Sequence, residues 1–397
     1  MEMDSKIDMV IDFNNIAYRS MFICTYSSEY GVNDFSTERE CAVLVRKIVI
    51  DICNVVRLFK PDRVFVACDS KSPWRKNVLP DYKANREKDE SKDWDMIYKS
   101  FDKLKDILSS RGFCVIDIPE SEADDVAGMC KKRFFDNGND DIILVSADKD
   151  WTQLLSFSPE DNRFCICYNP IPSRARGKNG KRIISANEGF IEWFEKKNVT
   201  DIFFTNYSRS KESIRAAMSE NGDIVIENVD PDLVLADKIM CGDDGDNVPA
   251  FWSYYKNGRK VRVTPTKSAG VFENIGSCNI GRILESCSDG SLKTAMESVM
   301  KTKVDDIDFN ERLIRQRMLV ELNPDLFPEN IVEEFDKAIS SESVGSVSTG
   351  DLKMTDILSG TEYLNDYSFG KPKVSSIFDD IVDTMIELDK HANANHL

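Results

Sequence analysis

Apolar residues gather in short unbroken runs along the first part of the chain, near 8–12, 63–68, 113–118 and 142–146. Runs of this length, flanked by polar residues, predict strands buried on both faces, the pattern of a parallel sheet. Between them, 37–59 places Val43, Val45, Ile48, Ile50, Val55 and Leu58 at helical spacing, and 94–110 and 122–135 fit amphipathic helices. The alternation predicts an α/β fold over 1–170, with a mainly parallel central sheet flanked by helices. Residues 171–223 read as an insertion of unknown role, helical with aromatic patches over 185–222. Residues 224–338 read as mostly helical. The Ser- and Gly-rich stretch 339–361 reads as a linker, and 377–388 as an acidic amphipathic helix that docks on its own domain or in a partner's groove.

Carboxylates sit where these runs end. Asp12 follows Val10-Ile11, Asp69 follows Ala67-Cys68, and Asp148 and Asp150 follow the run ending at Val145. Glu122, Asp124 and Asp125 open a helical segment, while Asp243, Asp244 and Asp246 crowd a Gly-rich turn. In open α/β sheets, ligands collect beyond the carboxyl ends of the strands. Acids converging there need a counter-cation, and hard divalent ions such as Mg²⁺ take oxygen ligands of this kind.

Each cluster also has an ordinary reading. Asp12 and Asp69 fit turns or caps, Ser121 with Asp124 fits a capping box, and Gly242 to Asn247 fits a plain turn. Asp148-Lys149-Asp150, two acids one residue apart after a buried run, is harder to explain that way. Together the clusters point to an acidic metal centre.

Composition narrows the chemistry. The only two histidines, His391 and His396, lie in the last seven of 397 residues, so catalysis resting on an imidazole base is poorly supported. A metal can activate water without histidine. Eleven scattered cysteines with no Cys-x-x-Cys suggest neither zinc nor a disulfide framework. A basic leader and a membrane-length apolar run are both missing, which predicts a cytoplasmic protein without membrane association.

The net charge of −17 argues against nucleic acid only until it is located. From Glu329 onward there are 14 acids and 5 bases, and nine more acids belong to the proposed metal centre, which leaves the remainder near neutral. Three stretches are basic. Residues 171–182 and 256–267 each hold five bases and no acid. Residues 71–92 interleave Arg75, Lys76, Lys83 and Arg86 with Trp74 and Tyr82, a mixture suited to stacking on bases while neutralising phosphate.

The order Asp12, Asp69, Tyr82-Lys83-Ala84-Asn85-Arg86, Glu122-Ala123-Asp124-Asp125, Asp148-Lys149-Asp150 and Gly242-Asp243-Asp244-Gly245-Asp246-Asn247 resembles the flap endonuclease and 5′-nuclease superfamily. Cys68 to Lys76 and Lys92-Asp93-Trp94-Asp95 resemble its bacteriophage ribonuclease H branch. The resemblance covers 8–170 and 224–335. It implies a PIN-like nuclease core with a basic arch segment near 71–92, then a helical DNA-binding domain over 224–338 akin to a helix–three-turn–helix, then an acidic tail over 339–397.

The implied activity is Mg²⁺-dependent removal of RNA primers and adjacent DNA from 5′ ends during replication, as exonuclease, flap endonuclease and ribonuclease H, leaving 5′ phosphates. Two Mg²⁺ ions are implied, replaceable by Mn²⁺, with Asp69, Glu122, Asp124, Asp148 and Asp150 serving the first and Asp12, Asp125, Asp243 and Asp246 the second or the outer shell. Lys83 and Arg86 are implied to assist catalysis. Arg75, Lys76, Tyr82, Lys83, Arg86 and Lys267 are implied to bind DNA. Forked, flapped or nicked duplexes and RNA–DNA hybrids are the implied substrates of a monomer that works beside a single-strand-binding protein or sliding clamp.

Two features depart from the family. Trp252-Ser253-Tyr254-Tyr255 and a basic run stand where a glycine-rich hairpin is expected, and 173–222 is longer than the usual connection. Two rival readings remain: a haloacid-type phosphatase with Asp148 as nucleophile, from Asp148-Lys149-Asp150-Trp151-Thr152, and a non-catalytic structure-specific DNA-binding protein.

Overall fold

The computed structural model describes residues 6–175, 177–195, 209–220, 222–256, 259–304, 308–340 and 352–364. Its centre is a sheet whose main path runs β3-β2-β1-β4-β6-β7-β8. The strands are β1 (Ile7–Asp12), β2 (Arg63–Ala67), β3 (Cys114–Ile116), β4 (Asp141–Val145), β5 (Ser156–Ser158), β6 (Arg163–Asn169), β7 (Arg182–Ala186) and β8 (Ile224–Asn228). The pairs β1–β2, β1–β4, β2–β3, β4–β6 and β7–β8 are parallel, whereas β7 and the short β5 each run antiparallel to β6. The sheet is thus mainly parallel, as the apolar runs predicted.

Alternate strand residues face opposite sides, and both sides are covered. On one side Met9, Ile11, Val64, Val66, Ile143 and Val145 join the buried faces of α1 (Phe13–Tyr26), α2 (Glu38–Phe59) and α4 (Trp94–Ser110). On the other side Val10, Phe65, Ala67, Ile142 and Leu144 meet Val126, Ala127 and Cys130 of α5 (Ala123–Cys130) and Trp74, which precedes the short α3 (Arg75–Val78). A π-helical turn, Lys131–Asp136, continues α5. A 3₁₀ turn, Lys149–Leu154, follows β4.

The stretch 171–223 is no separate subdomain. It supplies β7, α6 (Glu188–Glu195) and α7 (Arg209–Glu220), and leads into β8, so it widens the main sheet. The expectation of helix throughout 185–222 is corrected at its start, where 185–186 complete β7.

A third core belongs to α8 (Pro231–Cys241), α9 (Pro265–Ile275), α10 (Ile280–Ser288), α11 (Ser291–Met300) and α12 (Phe309–Val320), where Ile239, Phe272, Ile283, Leu292 and Leu313 are buried together. Between α8 and α9, β9 (Ser253–Lys256) and β10 (Arg259–Arg262) pair antiparallel, over the stretch where the resemblance led us to expect a glycine-rich hairpin. α13 (Glu329–Ser340) then returns to the core on the α5 side through Ile331 and Phe335.

The linker expected over 339–361 is also corrected in part. Residues 352–364 dock through α14 (Met354–Leu358) and a 3₁₀ turn, burying Leu352, Ile357, Leu358 and Tyr363 against the α2 side of the core. Arg111 Nε donates to Ile357 O at 3.0 Å, and Arg46 Nε to Tyr363 O at 2.5 Å. The acidic segment 377–388 lies outside the described residues.

Candidate metal centre and nucleic-acid site

The carboxyl ends of β1, β2 and β4 lie side by side, because Ile11 pairs with both Val66 and Val145. Each end delivers acids. Asp12 closes β1 and caps α1, accepting the Asn15 amide at 2.9 Å and the Ser146 hydroxyl at 2.7 Å. Asp69 follows β2 and accepts the amide of Ala123, the first residue of α5, at 2.8 Å. Asp124 sits in the first turn of that helix, where Trp151 Nε1 donates to it at 2.7 Å. Asp148 begins the 3₁₀ turn after β4 and accepts the Asp150 amide at 2.9 Å. The α5 cap itself is a correction, since the capping box pairs Glu122 with Asp125 rather than Ser121 with Asp124.

The proximity of these acids is visible in their proton affinity. Burial, then the charges of Asp69 and Asp148, push Asp12 up to about 7. Burial and Asp148 raise Asp124 well above the usual carboxylate range. Asp150 is pushed to about 6 by burial and Asp148, against the pull of Lys238. Asp69 is raised by burial and Glu122, against Lys83 and Arg86. Desolvation and like charge each disfavour ionisation, and here they act together.

A second group of acids is already neutralised. Glu122, buried at the α5 start, contacts Lys83 Nζ, accepts from Arg75 at 3.1 Å and from the Tyr82 hydroxyl at 3.0 Å. Burial would raise it, but Arg75 and Lys83 hold it below the ordinary value. Asp246 meets Arg86, the Tyr82 hydroxyl at 3.0 Å and Lys83 at 3.6 Å. Asp243 meets Lys238, which also reaches Asp150 at 2.7 Å. The loop bearing Asp243 and Asp246 turns at Gly242, where φ is +70° and a Cβ would lie 2.4 Å from Val248 O, so glycine is required.

Three expected roles are corrected by burial. Arg75 is 1 % exposed and stacks on Trp74, with Asp125 at 2.7 Å and Leu319 O at 3.1 Å. It cannot reach DNA. Tyr82 is 2 % exposed and Trp74 3 %, so neither offers a face to a base. Asp125 is wholly committed to Arg75, Trp74 Nε1 at 3.1 Å and its own helix cap, so it takes no direct place at a metal. Lys76 is exposed on α3, Arg86 is exposed beside Asp246, Lys83 is partly exposed, and Lys267 is partly exposed in the first turn of α9.

The structure also brings in residues that sequence reasoning passed over. Lys238 bridges Asp150 and Asp243, Ser146 joins Asp12 to the Asp148 amide at 3.0 Å, and Trp151 orients Asp124. Gln153, on the same 3₁₀ turn as Asp150, donates to Val320 O at 3.1 Å and accepts from Leu322 N at 2.9 Å, tying the acidic edge to the helical domain. Only Lys238 carried a signal, as a base three residues before Cys241-Gly242-Asp243.

Among the described residues, no three His, Cys, Asp or Glu side chains are drawn tightly enough to enclose a metal ion as they stand. The donor set nonetheless fits a hard cation. Asp12, Asp69, Asp124 and Asp148 share one edge, present only oxygen, and form no ion pair with a lysine or arginine among the described residues. Their mutual repulsion is what a divalent ion would relieve.

The chain is similar to several known proteins. Residues 8–170 match the family model described as the 5′-3′ exonuclease, N-terminal resolvase-like domain. The chain is 22% identical over 304 residues to DNA polymerase I of Streptococcus pneumoniae serotype 4, covering 76% of this chain but 28% of that protein. It is 23% identical over 278 residues to a 5′-3′ exonuclease of Mycoplasmopsis pulmonis, covering 68% of this chain and 71% of the other. It therefore spans less than a third of the polymerase and most of the exonuclease. A solved structure of T5 5′-exonuclease with bound zinc superposes with a TM-score of 0.48 at 18% identity, over 85% of this chain and 100% of that one.

Proposed function

We propose that the chain belongs to the 5′-nuclease superfamily, as its match over 8–170 and its likeness to a 5′-3′ exonuclease suggest, and that it is a divalent-metal-dependent 5′-3′ exonuclease and flap endonuclease. The observation carrying the proposal is the row of uncompensated acids at the ends of β1, β2 and β4, flanked by Lys83 and Arg86. Asp12, Asp69, Asp124, Asp148 and Asp150 would hold the metal, with Mg²⁺ as the natural ion and Mn²⁺ as a substitute. Bound divalent ions would neutralise the phosphate and activate water at neutral pH.

The chain's own groups prepare that event. Ser146 and the Asn15 amide fix Asp12, Trp151 fixes Asp124, and the α5 N-terminus fixes Asp69. Lys83 is held charged, because Glu122, Asp124 and Asp246 outweigh the burial that would discharge it. A phosphate entering between Lys83 and Arg86 would compete with Glu122 and Asp246 for those cations and draw them onto the scissile group as charge develops. The products would carry 5′ phosphates.

The finer reading follows the same logic. RNA primers on DNA, nicked or forked duplexes and 5′ flaps would be substrates, as in the ribonuclease H branch. Residues 224–338 would hold duplex backbone, with Lys267 among the contacts. The setting of Asp148 favours this over a phosphatase: a single nucleophilic aspartate would leave Asp12, Asp69 and Asp124 without work.

The test is direct. 5′-labelled flap, nicked and RNA–DNA hybrid substrates are incubated with Mg²⁺ and the products sized. Metal-dependent release from 5′ ends, abolished by chelator and by Asp69→Asn, is expected. Binding of forks without cleavage in Mg²⁺ or Mn²⁺ would establish a non-catalytic protein instead.

A further inference from the structure

The loop joining β6 to β7 has no part in the site described so far. Its sequence, 171–182, carries five bases and no acid within a chain of net charge −17. A basic loop on an acidic protein is either solvated decoration or a seat for a polyanion, and its position decides between them. β6 runs parallel to β4, with Tyr168 beside Val145, so both strands end at the same edge of the sheet. The Ser146 amide even donates to Tyr168 O at 3.2 Å. The loop therefore leaves the sheet one strand away, about 5 Å, from the segment that presents Asp148 and Asp150.

The loop is firmly built. Ser173 N donates to Lys181 O at 2.6 Å, Gly180 N to Ser173 O at 2.9 Å and Lys178 N to Ala175 O at 2.9 Å. Gly177 and Gly180 take φ of +83° and +75°, where a side chain would be strained. Arg182 anchors its foot to Asp223 at 2.8 Å. Arg174 is exposed, and Arg176 lies outside the described residues. Lys178 pairs with Glu227 of β8, three strands or about 14 Å from β4, at 2.6 Å, with both side chains about a third exposed at 35% and 36%. Such a pair is weak in water and readily exchanged for a phosphate. A nucleic-acid strand repeats its charge roughly every 3.4 Å along the helix axis. A strand held at Asp148 and running along this edge would carry further phosphates past the loop.

We propose that the 171–182 loop is a backbone contact of the nuclease site, gripping phosphates of the substrate strand some nucleotides away from the scissile bond. The proposal rests on the nuclease reading, and the experiment separates the two. A fluorescent flap duplex is titrated with wild-type protein and with the double variant Arg174→Ala/Lys178→Ala, in Ca²⁺ to prevent cleavage, across a range of NaCl. Thermal melts of both proteins verify that the fold is intact, and a charge-keeping Arg174→Lys/Lys178→Arg variant serves as control.

The double alanine variant is expected to bind several-fold more weakly at low salt. Its plot of log affinity against log salt should be shallower by about 2, near 0.9 per lost phosphate contact. The control should keep the wild-type slope. An unchanged slope in the alanine variant overturns the proposal, even if the wild type cleaves in Mg²⁺. A shallower slope without wild-type cleavage in Mg²⁺ would keep the contact and refute the nuclease reading.

Discussion

Replacing Asp12 by Asn should make the metal-free protein more stable at pH 8 while weakening its response to metal. Asp12 is 6 % exposed, so solvent screens it little. Its folded value is about 7 against an ordinary 3.8, with burial the largest cause and Asp69 next. A raised carboxyl binds its proton more tightly in the folded state, so its contribution is fully present below about pH 3.8 and is lost as pH rises through about 7. At about 1.4 kcal/mol per pKa unit, the ceiling on that loss is ~4 kcal/mol. Partial relaxation of the acidic cluster brings the expected gain from neutralisation to about 2–4 kcal/mol at pH 8.

Asn suits the test because it caps helices as well as Asp does and can still meet Ser146. At ~2 °C per kcal/mol, the variant should melt roughly 4–8 °C higher than wild type in EDTA at pH 8. At pH 4.5, where Asp12 is protonated in the folded state, the two should differ by only about 1 kcal/mol. Added Mg²⁺ should raise the wild-type melting temperature and move the variant's much less. A variant that is destabilised equally at both pH values, or that gains as much from Mg²⁺ as wild type, would refute the reasoning.

Arg75→Met should strand Glu122 and Asp125 as buried charges and cost on the order of 3–5 kcal/mol in urea unfolding; a change within ~0.5 kcal/mol would contradict the structural role given to Arg75. Lys83→Ala should lower kcat by ~100-fold or more while Mg²⁺-induced thermal stabilisation persists. Equal loss of both would mean that Lys83 acts only by shaping the acidic pocket. Lys238→Met removes the cation between Asp150 and Asp243, so NMR titration should find Asp150 above its wild-type value of about 6. An unmoved titration would mean that the pairing does not persist in solution.

Much of the fold was legible because its strands are apolar throughout. The four predicted runs match β1 to β4 to within a residue or two, and 37–59 matches α2 almost end to end. β6 was less obvious: Phe164, Cys165, Ile166 and Cys167 form an apolar run, but its antiparallel partner β7 straddles the basic stretch ending at Arg182 and the start of the segment read as helical. The acids were found because each follows a strand or opens a helix. What sequence could not reveal was which acids would be neutralised from within. Arg75 and Tyr82 look like surface residues of a basic loop, yet α3 packs against α12 and turns Arg75 inward to Glu122, and the turn after it brings Tyr82 there too. Lys238 reads as an ordinary helix-end base until α8 places it between Asp150 and Asp243.

The most direct measurement of the central claim is anomalous diffraction from crystals soaked in Mn²⁺. Peaks beside the carboxylates of Asp12, Asp69, Asp124, Asp148 and Asp150, absent in an Asp148→Asn/Asp150→Asn variant, are the predicted result. Manganese bound only elsewhere, with that strand-end row of acids left bare at saturating metal, would contradict it.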